Sequence, residues 1–263
     1  MTVKATTRLI GMIGDPIAKA RTPGLLNPRI AAAGKDLAVV PLHIPAEAFD
    51  GVFPALLSLG NMAGFIVTYP FKERCMAFAD RIGTGAKLVG GLNAMRREED
   101  GSWTAEIVDG IGLLNAVKAV RDPVGARVLL LGAGGAGRAI AVSFAQAGAA
   151  AITVADLDDG RAGSLVANLA AAFPGCVVRR GGPDAVGHDI VVNATPVGMN
   201  PDDGLPGEVG VFAPGMTVAD IVPAPTPTAL MRKAQAEGAS VIPGSAMTEG
   251  QAVALLKFFG VTG

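Results

Sequence analysis

The stretch Val128-Leu-Leu-Leu-Gly132-Ala-Gly134-Gly135-Ala-Gly137-Arg138 constrains this chain more than any other. An apolar run breaks into four glycines and then resumes as a helical pattern over 139–147, which Gly148 is suited to stop. The order strand, glycine turn, helix is that of a dinucleotide-binding unit. Gly132, Gly134 and Gly137 let the chain turn tightly, let its backbone approach a pyrophosphate, and let the helix pack close to the strand. Amides at the helix start, at Gly135 and Ala136, then face the phosphates with the helix dipole behind them. The chain carries 36 glycines, so a bare triplet also fits a structural turn. The flanking strand and helix favour the nucleotide.

Length and charge narrow the remaining choices. A chain of 263 residues can bury a full core and fits one large or two modest domains. The net charge is -1 with basic residues scattered, which speaks against a nucleic-acid partner. No run of about 18 uncharged apolar residues and no secretory pattern occurs, so a cytoplasmic protein without a membrane partner is expected. Cys75 and Cys176 are far apart and fit buried packing positions better than a disulfide. The two histidines, His43 and His188, argue against a zinc site or a histidine triad.

Taken in order, the chain alternates strands and helices, which predicts an α/β protein with mostly parallel sheets. Strands are expected over 9–13, 37–44 and 64–68, with Pro41 marking an edge or a bulge. Thr22 before Pro23 suits a helix N-cap, Gly34 suits the stop, and 46–59 is a further helix. Residues 94–97 and 102–108 form a hairpin across Asp100-Gly101, and Asp109-Gly110 opens a helix over 111–120. Later strands are expected over 151–155, 189–193, 216–220 and 241–242. A helix capped by Thr226 with Pro227 at its first position follows Pro225, and 248–259 is the closing helix. Lys72, in Thr68-Tyr-Pro-Phe-Lys72, lies just past a strand end, where open parallel sheets bind ligands.

Six ordered motifs together resemble the shikimate dehydrogenase and quinate/shikimate dehydrogenase family over nearly the whole length. Gly14-Asp-Pro-Ile-Ala-Lys-Ala-Arg-Thr-Pro23 resembles its substrate turn, Val67-Thr68-Tyr-Pro70-Phe-Lys72 its lysine segment, Gly90-Gly-Leu-Asn93 its asparagine turn and Asp109-Gly110 its aspartate. Asn193-Ala-Thr-Pro-Val-Gly198-Met199 resembles the segment beside the cofactor, and Gly244-Ser-Ala-Met247 with Gln251 the closing helix. The resemblance implies two α/β domains with the active site in the cleft between them: 1–109 plus 243–263 for substrate and catalysis, and a Rossmann doubly wound domain over 110–242 for the cofactor. It implies reversible hydride transfer between NAD(P) and a ring hydroxyl of shikimate, quinate or a related cyclic hydroxy acid, as in 3-dehydroshikimate/shikimate interconversion. The implied partner is a small molecule, and the implied assembly is a monomer or homodimer.

On that resemblance Lys72 is the acid/base and Asp109 its partner, Thr68, Asn93 and Gln251 hold substrate hydroxyls, and Thr22 offers its hydroxyl to the substrate carboxylate. Gly132, Gly134, Gly135, Ala136, Gly137, Asp156, Asn193, Thr195 and Met199 contact the cofactor. Asp156 ends the second nucleotide strand, 19 residues after Gly137. A carboxylate there accepts from ribose hydroxyls and repels a 2'-phosphate, by roughly 1 kcal/mol in water and about 4 kcal/mol at a semi-buried site. Relatives that take NADP carry an Asn-Arg pair where this chain has Ala155-Asp156, so NAD is expected, with NADP possible through Arg161 or Arg179. Other departures gather at the substrate carboxylate. Ala20 stands for one of two serine-type hydroxyls, Ile66 for an asparagine, Ile107-Val108 for an Asn-Thr pair and Pro223 for a tyrosine; Lys19 and Arg21 are candidate compensating cations. A different cyclic alcohol, or a ligand sensor without catalysis, are the alternatives, and a sensor has no need of Lys72 with Asp109.

Overall fold

A computed structural model describes residues 3–18, 20–223 and 227–262. The chain forms two compact units, Met1–Val108 with Ala252–Gly263, and Asp109–Gln251.

In the first unit, β1 (Arg8–Gly14), α1 (Thr22–Ala32), β2 (Leu37–His43), α2 (Phe49–Leu57) and β3 (Met62–Val67) are followed by the short β4 (Arg81–Ile82), α3 (Thr84–Val89) and the hairpin β5 (Ala94–Arg97) and β6 (Trp103–Glu106). The sheet order is β2-β1-β3-β5-β6-β4. It is parallel through β2, β1 and β3, antiparallel from β3 to β5 and β5 to β6, and parallel again at β4. Pro41 lies in the edge strand β2, where its missing N–H costs the sheet nothing. Phe49, Phe53, Phe65 and Phe71 are fully buried; Phe49 stacks on Phe53 and Phe71 at 4.9 and 4.6 Å, and Phe53 meets Phe65 edge-on at 5.0 Å. At about 1.5–3 kcal/mol for each buried side chain, this aromatic cluster is a large part of the unit's core.

The second unit runs α4 (Asp109–Lys118), β7 (Arg127–Leu131), α5 (Gly135–Gln146), β8 (Ala151–Ala155), α6 (Asp159–Ala172), β9 (Val177–Arg180), β10 (Ile190–Asn193), β11 (Thr217–Asp220), α7 (Ala229–Ala236), β12 (Ser240–Ile242) and α8 (Gly244–Phe258), which continues into the first unit's portion. All its strands are parallel, in the order β12-β11-β10-β7-β8-β9. The order reverses between β7 and β10, which makes their C-terminal ends the switch point of a doubly wound sheet. Registration is in one row: Ala155 faces Leu131, Leu131 faces Asn193, and Asn193 faces Asp220. The loops that follow therefore leave one edge at one level.

Local expectations are corrected at several helix ends. Thr22 is the first residue of α1 rather than its cap; Arg21 precedes the helix in a helical conformation and no side chain caps it. The helix expected over 46–59 is present over 46–57, its first turn, 46–48, wound as a 3-10 helix that runs directly into α2. Thr228 caps α7, accepting from the Met231 amide, and Pro227 lies outside the helix; the expected cap Thr226 falls outside the described residues. The closing helix starts at Gly244 rather than at Thr248. Both cysteines are buried and free. No helix among the described residues is long and apolar enough to cross a membrane.

Helix packing in the second unit depends on missing side chains. A Cβ on Gly110 of α4 would collide with the Ala139 carbonyl oxygen and Ser143 Oγ of α5, and one on Gly112 would stand 2.7 Å from the Gln251 amide nitrogen in α8. Gly163, inside α6, would meet nothing within 4 Å. Gly110→Ala is expected to cost about 2–3 kcal/mol through overpacking, whereas Gly163→Ala should gain about 0.4–1 kcal/mol by restricting the unfolded chain. Urea unfolding of the two variants checks the opposite signs.

Candidate active site

The residues expected at the site fall into two groups, one in each unit. In the first unit, Lys72 follows β3 by five residues in a half-buried turn. Its backbone is held on both flanks: the Phe71 amide donates to the Thr68 carbonyl (3.0 Å), and the Lys72 carbonyl accepts from the Leu92 amide (3.0 Å). Thr68 itself donates through its amide to the Ile13 carbonyl of β1 (3.0 Å). Asn93 is buried, and its Oδ1 accepts from the Val108 amide at 2.8 Å, so this side chain already fastens the chain where it leaves β6. The structure thus brings together Thr68, Lys72 and the 91–93 turn. Thr22 lies at the start of α1, half-buried beside the exposed Arg21; Lys19 is outside the described residues.

In the second unit, Asp109 is the first residue of α4, where the helix dipole favours a negative charge. It is buried, and its Oδ1 accepts from Gln251 Nε2 at 2.6 Å. These two positions are 142 residues apart in sequence, and the close approach of α4 and α8 at Gly112 and Gly250 brings them together.

The glycine turn has the features a pyrophosphate needs. Gly132 has φ of +96°, a conformation that favours glycine, and an added Cβ would stand 2.9 Å from the Ala194 carbonyl oxygen. A Cβ on Gly137 would collide with the Gly132 carbonyl, so α5 lies directly against its own turn. Gly134, the N-cap of α5, and Gly135, its first residue, have open space where a Cβ would stand. The first amides of α5, from Gly135 through Ala136 to Gly137, belong to the helix end that has no intrahelical acceptors. These residues fit a phosphate-bearing cofactor.

Asp156, just past β8, fixes this turn. Its Oδ2 accepts from the Ala133 amide (2.6 Å), its Oδ1 from the Asp158 amide (2.8 Å), and Arg161 Nη2 lies 3.4 Å from Oδ1. Burial works to raise this carboxyl, but the two amides and Arg161 outweigh it and hold it below the usual carboxylate range. Asp158 caps α6, accepting from the Arg161 amide, so the capping role belongs to that neighbour. A cavity of about 280 Å³ opens beside Asp156, lined also by Val154, Asp159, Ala162, Arg180 and Gly181. The guanidiniums at this end are engaged: Arg161 with Asp156 and Asp158, Arg180 with Asp159, and Arg179 with Thr153 Oγ1.

On the other side of the switch point, Asn193 Nδ2 donates to the Val197 carbonyl and to Asp220 Oδ1, both at 3.0 Å, while its Oδ1 accepts from Thr195 Oγ1 at 2.6 Å. Met199 is exposed. Asp220 was not expected as a site residue. Its buried carboxylate accepts from Asn193, from the Val222 amide (3.1 Å) and from Thr228 Oγ1 (2.6 Å), and so joins the loops after β10 and β11 to the cap of α7. The signal for it in the sequence was an aspartate ending an apolar strand, the same signal that marked Asp156.

The family model for the shikimate dehydrogenase substrate binding domain matches residues 12–95. A shikimate dehydrogenase (NADP(+)) from Rubrobacter xylanophilus is 37% identical over 253 residues, covering 93% of this chain and 88% of the relative. The chain belongs to the shikimate dehydrogenase family. Its members are NAD(P)-dependent oxidoreductases. Among solved structures, shikimate 5-dehydrogenase from Listeria monocytogenes, in complex with shikimate and NAD, superimposes with a TM-score of 0.91 at 26% identity, over 100% of this chain and 94% of that one. The ligand-free 5-ketofructose reductase of a Gluconobacter strain gives 0.88 at 29% identity, over 96% and 92%. Family membership accounts for the two-unit α/β architecture and for the glycine turn at the switch point.

Removing the Asp220 carboxylate leaves the Val222 amide and Thr228 Oγ1 without their acceptor and takes one of two acceptors from Asn193 Nδ2. Asp220→Ala is expected to cost about 3–5 kcal/mol, from the range for stripping a partner from buried charged hydrogen bonds. Chemical denaturation measures the loss, and a cost below about 1 kcal/mol, the size of a surface effect, would show that the carboxylate does not hold these loops.

Proposed function

We propose that the protein catalyses reversible hydride transfer between NAD(P) and a ring hydroxyl of shikimate, quinate or a close cyclic relative, with NAD as the preferred cofactor. The observation that carries the NAD reading is Asp156, a carboxylate kept ionised at the end of the second nucleotide strand. Three carboxylates, Asp156, Asp158 and Asp159, stand there with three guanidiniums, Arg161, Arg179 and Arg180, each already engaged within the protein. A 2'-phosphate entering beside Asp156 would meet that carboxylate's charge at short range. The Rubrobacter relative is named for NADP(+), whereas the Listeria enzyme was crystallised with NAD. Gly134, Gly135, Ala136 and Gly137 would hold the pyrophosphate, Asp156 the adenosine ribose, and Asn193, Thr195 and Met199 the nicotinamide side.

When bound, the nicotinamide supplies or accepts the hydride at its C4. The chain's own residues handle the proton. As the alcohol loses hydride its hydroxyl proton must leave, and in the reverse direction the developing oxyanion must receive one. We assign that exchange to the Lys72 ammonium, with Asp109 orienting the group that carries the proton. Gln251 donates to Asp109 and keeps its carboxylate directed, Thr68 and Asn93 complete the hydroxyl contacts, and Thr22 offers its hydroxyl to the substrate carboxylate.

A second reading keeps this chemistry and changes the substrate. Ile66, Ile107 and Val108 are buried apolar residues where the resemblance expects polar ones, Ala20 lacks a hydroxyl, and Pro223 replaces a tyrosine. The similarity to a 5-ketofructose reductase favours the same substitution of a polyhydroxy ketone for the ring acid.

Turnover of shikimate, quinate and neutral cyclic polyols with each cofactor, followed by absorbance of the reduced nicotinamide, separates the two readings. Lys72→Ala should lower kcat by about 10²- to 10⁴-fold, the range for one positioned proton-transfer group. NADH should bind with a lower Kd than NADPH. Asp156→Asn, which retains an acceptor for the Ala133 amide and removes the charge, should narrow that gap by roughly tenfold or more, the value of one screened charge contact. Tighter binding of NADPH to the unaltered protein would overturn the NAD assignment.

A further inference from the structure

Three strand ends of the first unit meet at a residue to which the roles above assign nothing. Asp15 follows β1. Its amide donates to the Tyr69 carbonyl beyond β3 (3.0 Å), its Oδ1 lies 2.8 Å from Nε2 of His43 at the end of β2, and its Oδ2 accepts from the Ala46 amide beyond β2 (3.0 Å). The preceding Gly14 is packed so closely on the lysine segment that a Cβ there would stand 2.5 Å from Thr68 Cγ2 and 3.2 Å from the Tyr69 carbonyl oxygen. The connection continues past Ala46, whose carbonyl accepts from Arg74 Nη1 at 2.8 Å. The other arm of Arg74 pairs with Asp50 at 2.7 Å, and its guanidinium lies 4.3 Å from the Phe49 ring centre and 5.8 Å from that of Phe71.

The result is a closed circuit. Asp15 reaches Tyr69 on one side and, through Ala46, Arg74 on the other; Lys72 lies between those two points in the chain. An exposed carboxylate–imidazole pair contributes little by itself. Asp15 differs from such a pair because its carboxylate also accepts from the Ala46 amide after β2 while its own amide donates to the Tyr69 carbonyl after β3, and geometry at those points sets where the lysine segment runs. The hydrogen bond from His43 and then the Ala46 amide hold the Asp15 carboxyl below its ordinary range, so it remains an ionised acceptor at neutral pH.

We propose that Asp15 is a positioning residue, which fixes the Lys72 segment against the turn leading to Thr22 through its carboxylate's contacts with Ala46 and His43, beside the backbone bond that ties position 15 to Tyr69. The proposal rests on the proton-transfer role given to Lys72 above. It is tested on the full chain with Asp15→Ala, Asp15→Asn and His43→Gln. Shikimate and quinate serve as substrates, NADH binding is followed by fluorescence, and the rate at which Lys72 is acetylated by trace acetic anhydride, relative to the other lysines, is read by mass spectrometry.

Asp15→Ala should lower kcat/KM by about 10²-fold, the effect of a misplacement near 1 Å, while leaving the Kd for NADH unchanged. It should also shift the relative acetylation rate of Lys72 severalfold. Asp15→Asn, whose amide oxygen accepts from Ala46 and whose amino group donates to a neutral His43, should restore both readouts nearly to the starting values. An acetylation rate for Lys72 that is the same in Asp15→Ala as in the unaltered chain would refute the proposal, as would an Asp15→Asn variant as altered as the alanine. Should Asp15→Ala not fold, the acetylation of Lys72 in His43→Gln decides, a shift supporting the proposal and no shift refuting it. The acetylation comparison does not depend on which acid is turned over. Inactivity of the unaltered protein toward both acids would count against the substrate reading while leaving Asp15 decided by Lys72.

Discussion

The Gly132 carbonyl and the backbone of Gly137 approach more closely than any side chain at 137 would allow, and the nucleotide end of the second unit is arranged around that approach. It sets α5 against β7 and so aims the first amides of the helix outward from the switch point. Gly132 is also packed against the Ala194 carbonyl, which fixes the distance between the turn after β7 and the loop after β10. Its amide donates to the Ala155 carbonyl at 2.8 Å, tying the turn to the end of β8. Asp156 then accepts from Ala133 and closes the set. Each later contact presupposes the first, because the loops can bond to one another only where the glycines let their backbones meet.

Carboxylates at strand ends carry the same logic through both units. Asp15 follows β1 and binds the loop after its neighbour β2; Asp156 follows β8 and binds the turn after its neighbour β7; Asp220 ends β11 and binds Asn193 of its neighbour β10. At the C-terminal edge of a parallel sheet, the chain leaves as turns whose amides have lost their ladder partners. A short acceptor side chain at the next position can satisfy two of them at once. The three aspartates therefore do for loops what the ladder does for strands, and the loops held in this way are the one after β2, which bonds to Arg74 beside the Lys72 segment, and those that carry the glycine turn and the Asn193 segment.

The sequence made the strand pattern legible because buried parallel strands are short apolar runs and the turns between them are rich in glycine and proline. Val128 to Leu131, the glycine turn and Asp156 could be placed from spacing alone, and the hairpin across Asp100-Gly101 from its turn residues. Helix starts were less legible. Thr22 and Thr226 each precede a proline and read as caps, yet the cap of α7 is Thr228, which is selected because Asp220 fixes its hydroxyl from a distant strand. The short β4 and β9 carry too few residues for a period to emerge. Pairings such as Gln251 with Asp109 depend on helices meeting at glycines far apart in sequence, and no local pattern encodes them.

The polar residues read as substrate or cofactor contacts prove to be partly structural, and this bears on how the site is built. Asn93 uses its carbonyl oxygen to hold Val108, and Asn193 uses both ends of its amide to hold Val197, Asp220 and Thr195. Asp156 spends both oxygens on backbone amides before any ribose arrives. A side chain whose rotamer is already fixed by protein donors and acceptors loses little freedom when a ligand binds, so less of the interaction energy goes to ordering it. Asp109, Asn93 and Asn193 are in this way held in place by the fold itself. A position that only touches the ligand can change with the ligand. A position that also holds two loops together cannot change without moving them.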